Sequence, residues 1–200
     1  MLNEAVKVYC SNIEGLWFCA GLLRGKLKFI SFSKRSRSEA LNFGLKHLEG
    51  KHSWALAEPT ETIWNIFKVL HQTYNGSEAT FNFNLCWEQV STFNRRVLEL
   101  TQHVPRGCLA TYGGLARALG VPGASRAVGR ALALNPFPLV VPCHRVVRSD
   151  LTLGGYSLGL DVKAEILSRE GVEILKVNGK FKVKREHLID LKSLSGQATS

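Results

Sequence analysis

Three sets of helix breakers between Pro105 and Pro142 leave this chain few ways to fold there. Pro105-Arg106-Gly107 stops any helix arriving from upstream, Gly120-Val121-Pro122-Gly123 interrupts the chain again, and Asn135-Pro136-Phe137-Pro138 imposes an extended course. Between the breaks there is room for two short helices, Gly114 to Leu119 and Ala124 to Leu134, joined by a tight turn. Their length and turn chemistry suit a helix-turn-helix. The extended passage then delivers Val141-Pro142-Cys143-His144-Arg145-Val146, a thiol beside an imidazole and a guanidinium.

Charge in this region is one-sided. Thr101 to Ser149 contains six arginines (Arg106, Arg117, Arg126, Arg130, Arg145 and Arg148), no lysine, and neither Asp nor Glu. Positive neighbours without a carboxylate favour the thiolate form of a cysteine, so His144 and Arg145 are expected to activate Cys143. An acid-free basic segment also attracts a phosphate backbone. The formal net charge is +10, and residues 101–200 carry 14 basic against 7 acidic side chains, whereas residues 1–100 carry 12 against 9. The anion-binding surface is therefore expected in the second half. On the second short helix, Ala124, Val128 and Ala131 or Leu132 share an inward face, leaving Arg126, Ala127, Gly129 and Arg130 on the outer side. Small outer residues let such a helix approach a groove closely, although they also permit ordinary tight helix packing.

The first half predicts a small antiparallel sheet from Val6–Cys10, Leu16–Leu23 and Lys26–Phe32, with Arg24-Gly25 as a turn. Helices follow at Ser38–Leu48, stopped by Gly50, and from Thr60 to Tyr74, and a further strand is expected at Thr80–Leu85. The second half opens with a helix from about Glu88 to His103. It closes with a helix over Asp161–Glu170 and a hairpin over Val172–Val183 centred on Asn178-Gly179. The boundary is placed between two domains, 1–87 and 88–200. Nothing in residues 1–87 points to chemistry. Five widely spaced cysteines and the absence of a leader pattern at the start predict buried thiols in a reducing intracellular compartment. No apolar run is long enough to span a bilayer.

From Pro105 to Val172 the chain resembles the 6-O-alkylguanine-DNA alkyltransferases. The resemblance rests on Pro142-Cys143-His144-Arg145-Val146, Asn135-Pro136 and Arg126-Ala127-Val128-Gly129. Downstream it is supported by Gly154-Gly155-Tyr156-Ser157, Gly159, Lys163, Leu167 and Glu170-Gly171. It implies an α/β amino-terminal domain of RNase H-like type, a mainly α carboxy-terminal domain with a helix-turn-helix, and repair of 6-O-alkylguanine in double-stranded DNA. The base is flipped and the alkyl group moves irreversibly to Cys143, once per molecule. By the same resemblance, His144 removes the thiol proton through a water and Glu170 orients the imidazole. Tyr112 rotates the nucleotide and protonates guanine, and Lys163 assists on the tyrosine side. Arg126 fills the gap in the duplex, with Ala127, Gly129 and Arg130 also facing DNA. Asn135 holds the turn before the nucleophile, and Val146, Tyr156, Ser157 and Cys143 form the base pocket.

The resemblance implies no cofactor, a monomeric protein, and a cytoplasmic, nucleoid-associated location, or a nuclear one in a eukaryote. Two features depart from the family pattern: Arg130 stands where a small residue is common, and Leu158 where glycine is common, which predicts a narrower pocket. Lys176, Lys180, Lys182, Lys184 and Arg185 make the tail basic, a pattern that permits phosphate contact but reads rather as a solvated face. No close-paired spacing among Cys10, Cys19, Cys86, His47, His52 and His71 supports a metal site. Two rival readings remain, a non-catalytic sensor or regulator using the same helices and a cysteine hydrolase using Cys143, His144 and Glu170.

Overall fold

The structure is a computed structural model that describes residues 4–48 and 52–191. Its two compact units meet near Gln89 in sequence, but not by a single cut, because Tyr74–Glu78 belongs with the second unit and Pro136–Pro138 with the first. Gly50 lies outside the described residues.

The first unit is built on a four-stranded sheet. Strands β1 (Val6–Ile13), β2 (Leu16–Leu23) and β3 (Lys26–Ser33) form an antiparallel meander. Both connections are two-residue turns with positive φ at each position, Glu14-Gly15 at 49° and 82° and Arg24-Gly25 at 51° and 74°, the backbone that matches the twist of paired strands. Helix α1 (Arg37–Leu45) starts where the Ser36 side chain accepts from the Glu39 amide. It lies against Phe29, and Gly44 permits this, since a β-carbon there would intrude on the ring. Val6, Val8, Cys19, Phe29, Ala40 and Leu48 form the core beneath.

Strand β4 (Trp54–Leu56) pairs in parallel with β1 at the sheet edge and gives the order β3-β2-β1-β4. Three residues are too few to show a sequence period, so this strand was not expected. Helix α2 (Glu61–Tyr74) completes the set. The strand expected at Thr80–Leu85 is corrected to a loop whose one pairing is a bridge from Leu85 to Leu27. The expectation of five free thiols is also corrected. Cys10 and Cys19 face each other across β1 and β2 and are joined in a disulfide, because the register places their Cα atoms 4.2 Å apart.

In the second unit, α3 (Thr92–Gln102) begins at Ser91, whose hydroxyl accepts from the Asn94 amide. The helix therefore starts later than expected. Strand β5 (Ala110–Thr111) pairs in parallel with β6 (Val146–Val147), which fixes the chain before Tyr112 beside the segment following Cys143. Helices α4 (Tyr112–Ala118) and α5 (Ser125–Ala133) follow, with the Thr111 hydroxyl capping α4 at the Gly114 amide, 2.9 Å away. Cys143–Arg145 is a single 3-10 turn. Helix α6 (Leu160–Arg169) leads into the hairpin of β7 (Ile174–Val177) and β8 (Lys180–Val183), turned at Asn178-Gly179 with φ of 49° and 75°. Leu109, Val147, Leu153, Ala164, Leu167, Val172 and Val183 form a core of this unit. No helix among the described residues is long and apolar enough to cross a membrane.

Candidate active site

A 3-10 helix has about three residues per turn, so three consecutive side chains leave it in three directions. Cys143, His144 and Arg145 do so. The Cys143 sulfur lies beside Asn135, whose Nδ2 donates to Sγ at 3.2 Å and to the Val141 carbonyl at 3.1 Å. The His144 ring points the other way, fully buried, with Nε2 3.0 Å from Glu170 Oε1. Arg145 closes over the same carboxylate, Nε reaching Oε2 at 3.0 Å and Nη2 reaching Oε1 at 2.7 Å, while Nη1 donates to the Val104 carbonyl at 2.6 Å.

A carboxylate can only accept here, so the neutral imidazole carries its proton on Nε2 and leaves Nδ1 as the basic nitrogen. Nδ1 is buried without a hydrogen-bond partner among the described residues. Burial holds the imidazole below its ordinary pKa and outweighs the pull of Glu170. Burial alone would raise Glu170, yet its bonds and charge contacts with His144 and Arg145 prevail and hold it at about 2. The resting pair is therefore a neutral imidazole on an ionised carboxylate.

Burial also pushes the Cys143 thiol above its ordinary value. Opposing this are the Asn135 amide, the Lys163 charge and the backbone amides of Cys143 and His144. The expectation that Arg145 activates the thiol is thus corrected, because its guanidinium is spent on Glu170. Lys163 is fully buried on α6, donating to the carbonyls of Val146 at 2.6 Å and Leu153 at 2.5 Å. Burial lowers it to about 8, against the opposing influence of Cys143. Its two carbonyl partners lie in the strand after Cys143 and in the residue before Gly154, which lies against the Tyr112 ring.

Cys143 opens onto a pocket of about 860 Å³ whose walls include Tyr112, Arg126, Gly129, Tyr156 and Ser157. That volume accommodates a nucleobase. Burial raises the Tyr112 hydroxyl, and the Cys143 charge adds to this while Arg148 opposes it. The ring is closely flanked: a β-carbon on Gly154 (φ 70°) would come within 2.9 Å of its oxygen, and one on Gly129 within 3.7 Å of its edge. Glycine at 154 is thus required twice, for backbone and for space. Arg117, Arg148 and Asp150 also line the cavity.

The family model for the DNA-binding domain of 6-O-methylguanine DNA methyltransferase matches residues 92–172. A methylated-DNA--protein-cysteine methyltransferase of Thermococcus gammatolerans is 49% identical over 174 residues, covering 84% of this chain and 97% of that protein. This chain belongs to the methylated-DNA--protein-cysteine methyltransferase family. A second member of the family, from Methanothermobacter thermautotrophicus, is 37% identical over 119 residues. There the match covers 59% of this chain and spans about two thirds of the relative, 66%. Among solved structures, an O6-methylguanine-DNA methyltransferase from Pyrococcus kodakaraensis superposes with a TM-score of 0.65 at 33% identity, covering 84% of this chain and 99% of that one. A Mycobacterium tuberculosis relative solved in complex with DNA gives 0.65 at 25% identity, covering 82% and 92%.

All the site residues singled out from sequence lie inside the matched family region. The structure gathers Cys143, Tyr112, Arg126, Gly129, Tyr156 and Ser157 around one cavity and sets His144 and Glu170 behind it. Ala127 and Arg130 are exposed on α5 but do not line the cavity, and Val128 is buried as its helical position requires. Val146 is fully buried with its carbonyl bonded to Lys163. Leu158, expected to narrow the pocket, is not among the residues lining it. The grip of Arg145 on Glu170 was missed, and its only sequence signal was adjacency to His144. Two of the cysteines weighed as metal ligands, Cys10 and Cys19, are committed to the disulfide.

Proposed function

We propose that this protein repairs 6-O-alkylguanine in duplex DNA by transferring the alkyl group to Cys143, with the damaged nucleotide swung out of the helix into the pocket. The observation that carries the reading is a thiol at the wall of a base-sized cavity, with an imidazole and carboxylate behind it and an arginine-bearing helix at its mouth. Family membership and the relative solved in complex with DNA support duplex DNA as the partner. We read α4, the turn and α5 as a helix-turn-helix, and the β3-β2-β1-β4 order, with β4 parallel to β1, as an RNase H-like sheet.

Extrusion is required because the alkylated oxygen of a stacked base cannot reach a buried sulfur. Arg126 fills the vacated space, its planar guanidinium stacking on the neighbouring bases. Within the pocket, His144 Nδ1 takes the thiol proton through a water, and the Glu170 carboxylate stabilises the imidazolium that results. Lys163 favours the thiolate by its charge. The sulfur attacks the alkyl carbon, the carbon–sulfur bond forms as the carbon–oxygen bond breaks, and the departing guanine takes a proton from the Tyr112 hydroxyl. The Ser157 segment binds the 6-oxygen. The product thioether has no good leaving group, so each molecule reacts once. The lesion supplies the transferred group, and no cofactor is called for. The protein acts as a monomer in the compartment that holds the DNA.

Incubation with duplex carrying 6-O-methylguanine should add one methyl mass to the peptide containing Cys143, one equivalent per protein. Repeated turnover, or an unmodified thiol after the lesion has disappeared, would overturn the mechanism.

A further inference from the structure

The hairpin of β7 and β8 is not an appendage to the pocket. Segment 151–153, which continues the pocket-lining residues Arg148, Ser149 and Asp150, is tied to β8 by an antiparallel bridge. The Leu153 amide donates to the Phe181 carbonyl at 3.2 Å, the Val183 amide to the Leu151 carbonyl at 3.0 Å, and Thr152 bridges to Lys182. The family model ends at residue 172, so the hairpin lies outside the matched region.

Strand alternation sorts its side chains onto two faces. The register pairs Ile174 with Val183 and Lys176 with Phe181, and Val183, Ile174 and Phe181 pack on the core. The other face then carries Leu175 with Lys182 and Val177 with Lys180. Leu175 is 38% and Val177 42% exposed, two apolar side chains left in water beside two lysines. From Ile174 to Arg185 there are five basic residues and no acid. Lys184 is taken by Glu173 at the base of the hairpin, and Lys176 rests over the Phe181 ring. Lys180 has no acidic partner among the described residues. The positive charge of Lys182, with that of Arg148, helps hold Asp150 below the ordinary carboxylate range, behind the larger effect of the Thr152 bonds. Lys182 and Arg148 thus both act on Asp150, a residue of the pocket wall.

We propose that the outer face of the hairpin, Leu175, Val177, Lys180 and Lys182, is a second DNA-contact surface. Its lysines bind phosphates of the duplex arm on the Arg148–Asp150 side of the pocket, and its two aliphatic side chains lie against the deoxyribose. The inference rests on the duplex-repair reading above and extends it to residues outside the family model. A solvated face would explain the lysines alone, but it leaves the aligned exposed Leu175 and Val177 without a role. Helix α5 holds the lesion end of the site, and the hairpin holds the flanking arm.

Each phosphate neutralised on B-DNA contributes about 0.9 to the slope of log affinity against log salt. The test is a titration of unmodified duplex by fluorescence anisotropy across a potassium chloride series. It compares the intact protein, Lys180→Gln/Lys182→Gln, and a charge-matched control in the first unit, Lys7→Gln/Lys68→Gln. The hairpin variant should bind more weakly and lose roughly 1.8 from the slope, while the control keeps the full slope. An unchanged slope in the hairpin variant, or an equal drop in the control, would overturn the proposal. Alkyl transfer from free 6-O-alkylguanine base, which needs no duplex, is measured in parallel and should be the same in all three proteins. Its absence in the intact protein would mean that the parent reading has failed, and a loss confined to the hairpin variant would mean that the hairpin shapes the pocket instead of binding DNA.

Discussion

Glu170 accepts from His144 and Arg145 at once, so the proposed relay and the stability of the fold meet in one carboxylate. Its folded pKa, about 2, lies below the ordinary 4.5. A carboxylate depressed in this way contributes stability in full above its unfolded value, and that contribution fades as pH falls through the folded one. Glu170→Gln should therefore remove the part of the acid-unfolding curve between those two values, seen by circular dichroism. It should also cost roughly 3–5 kcal/mol, because Arg145 loses its buried partner. In alkyl transfer from the free base, the same variant should be slower by about a hundredfold or more near neutral pH. Burial raises the Cys143 thiol, so it is mostly protonated there and depends on the relay. Raising the pH makes thiolate without help, and the gap to the intact protein should narrow. A gap that stays constant with pH would show Glu170 to be structural only. These residue types were legible from the motif around Cys143. Their directions were not, because only the 3-10 turn determines that Arg145 faces Glu170 and not the sulfur.

Helix α5 illustrates what one element reveals by itself. Its spacing places Ala124, Val128 and Ala131 or Leu132 inward and Arg126, Ala127, Gly129 and Arg130 outward, and burial agrees for all but Ala124 and Gly129, which are half-buried. Arg126→Ala should slow repair of paired lesions by roughly ten- to a hundredfold, since extruding a nucleotide costs a few kcal/mol. Reaction with the free base should barely change, and equal losses on both substrates would remove the finger role. The hairpins were equally legible, because Arg24-Gly25 and Asn178-Gly179 demand positive φ at both positions. Elements with no local signature were not. Strand β4 is three residues long, β5 and β6 are two each, and Thr80–Leu85 alternates like a strand but meets a partner only at Leu85.

At the scale of the whole molecule, the Cys10–Cys19 disulfide and the Cys143 thiol lie in different compact units. A bond closing so short a loop is worth about 1–3 kcal/mol. Mild reductant should therefore lower the melting temperature by roughly 3–10 °C while the rate of alkyl transfer to Cys143 stays the same. An unchanged melting temperature would mean that Cys10 and Cys19 are not joined. Sequence alone determined the breaks around the two short helices, the acid-free arginine run, the candidate nucleophile and the order of the family's motifs. All of these are properties of neighbouring residues, and local sterics and charge suffice to read them. Tertiary structure decided that Cys10 meets Cys19, that Lys163 lies buried against the Val146 and Leu153 carbonyls, and that Tyr112 at the pocket wall is flanked by Gly129 and Gly154. Those facts depend on strand register and on helices distant in sequence coming within a few ångströms, which no local pattern encodes.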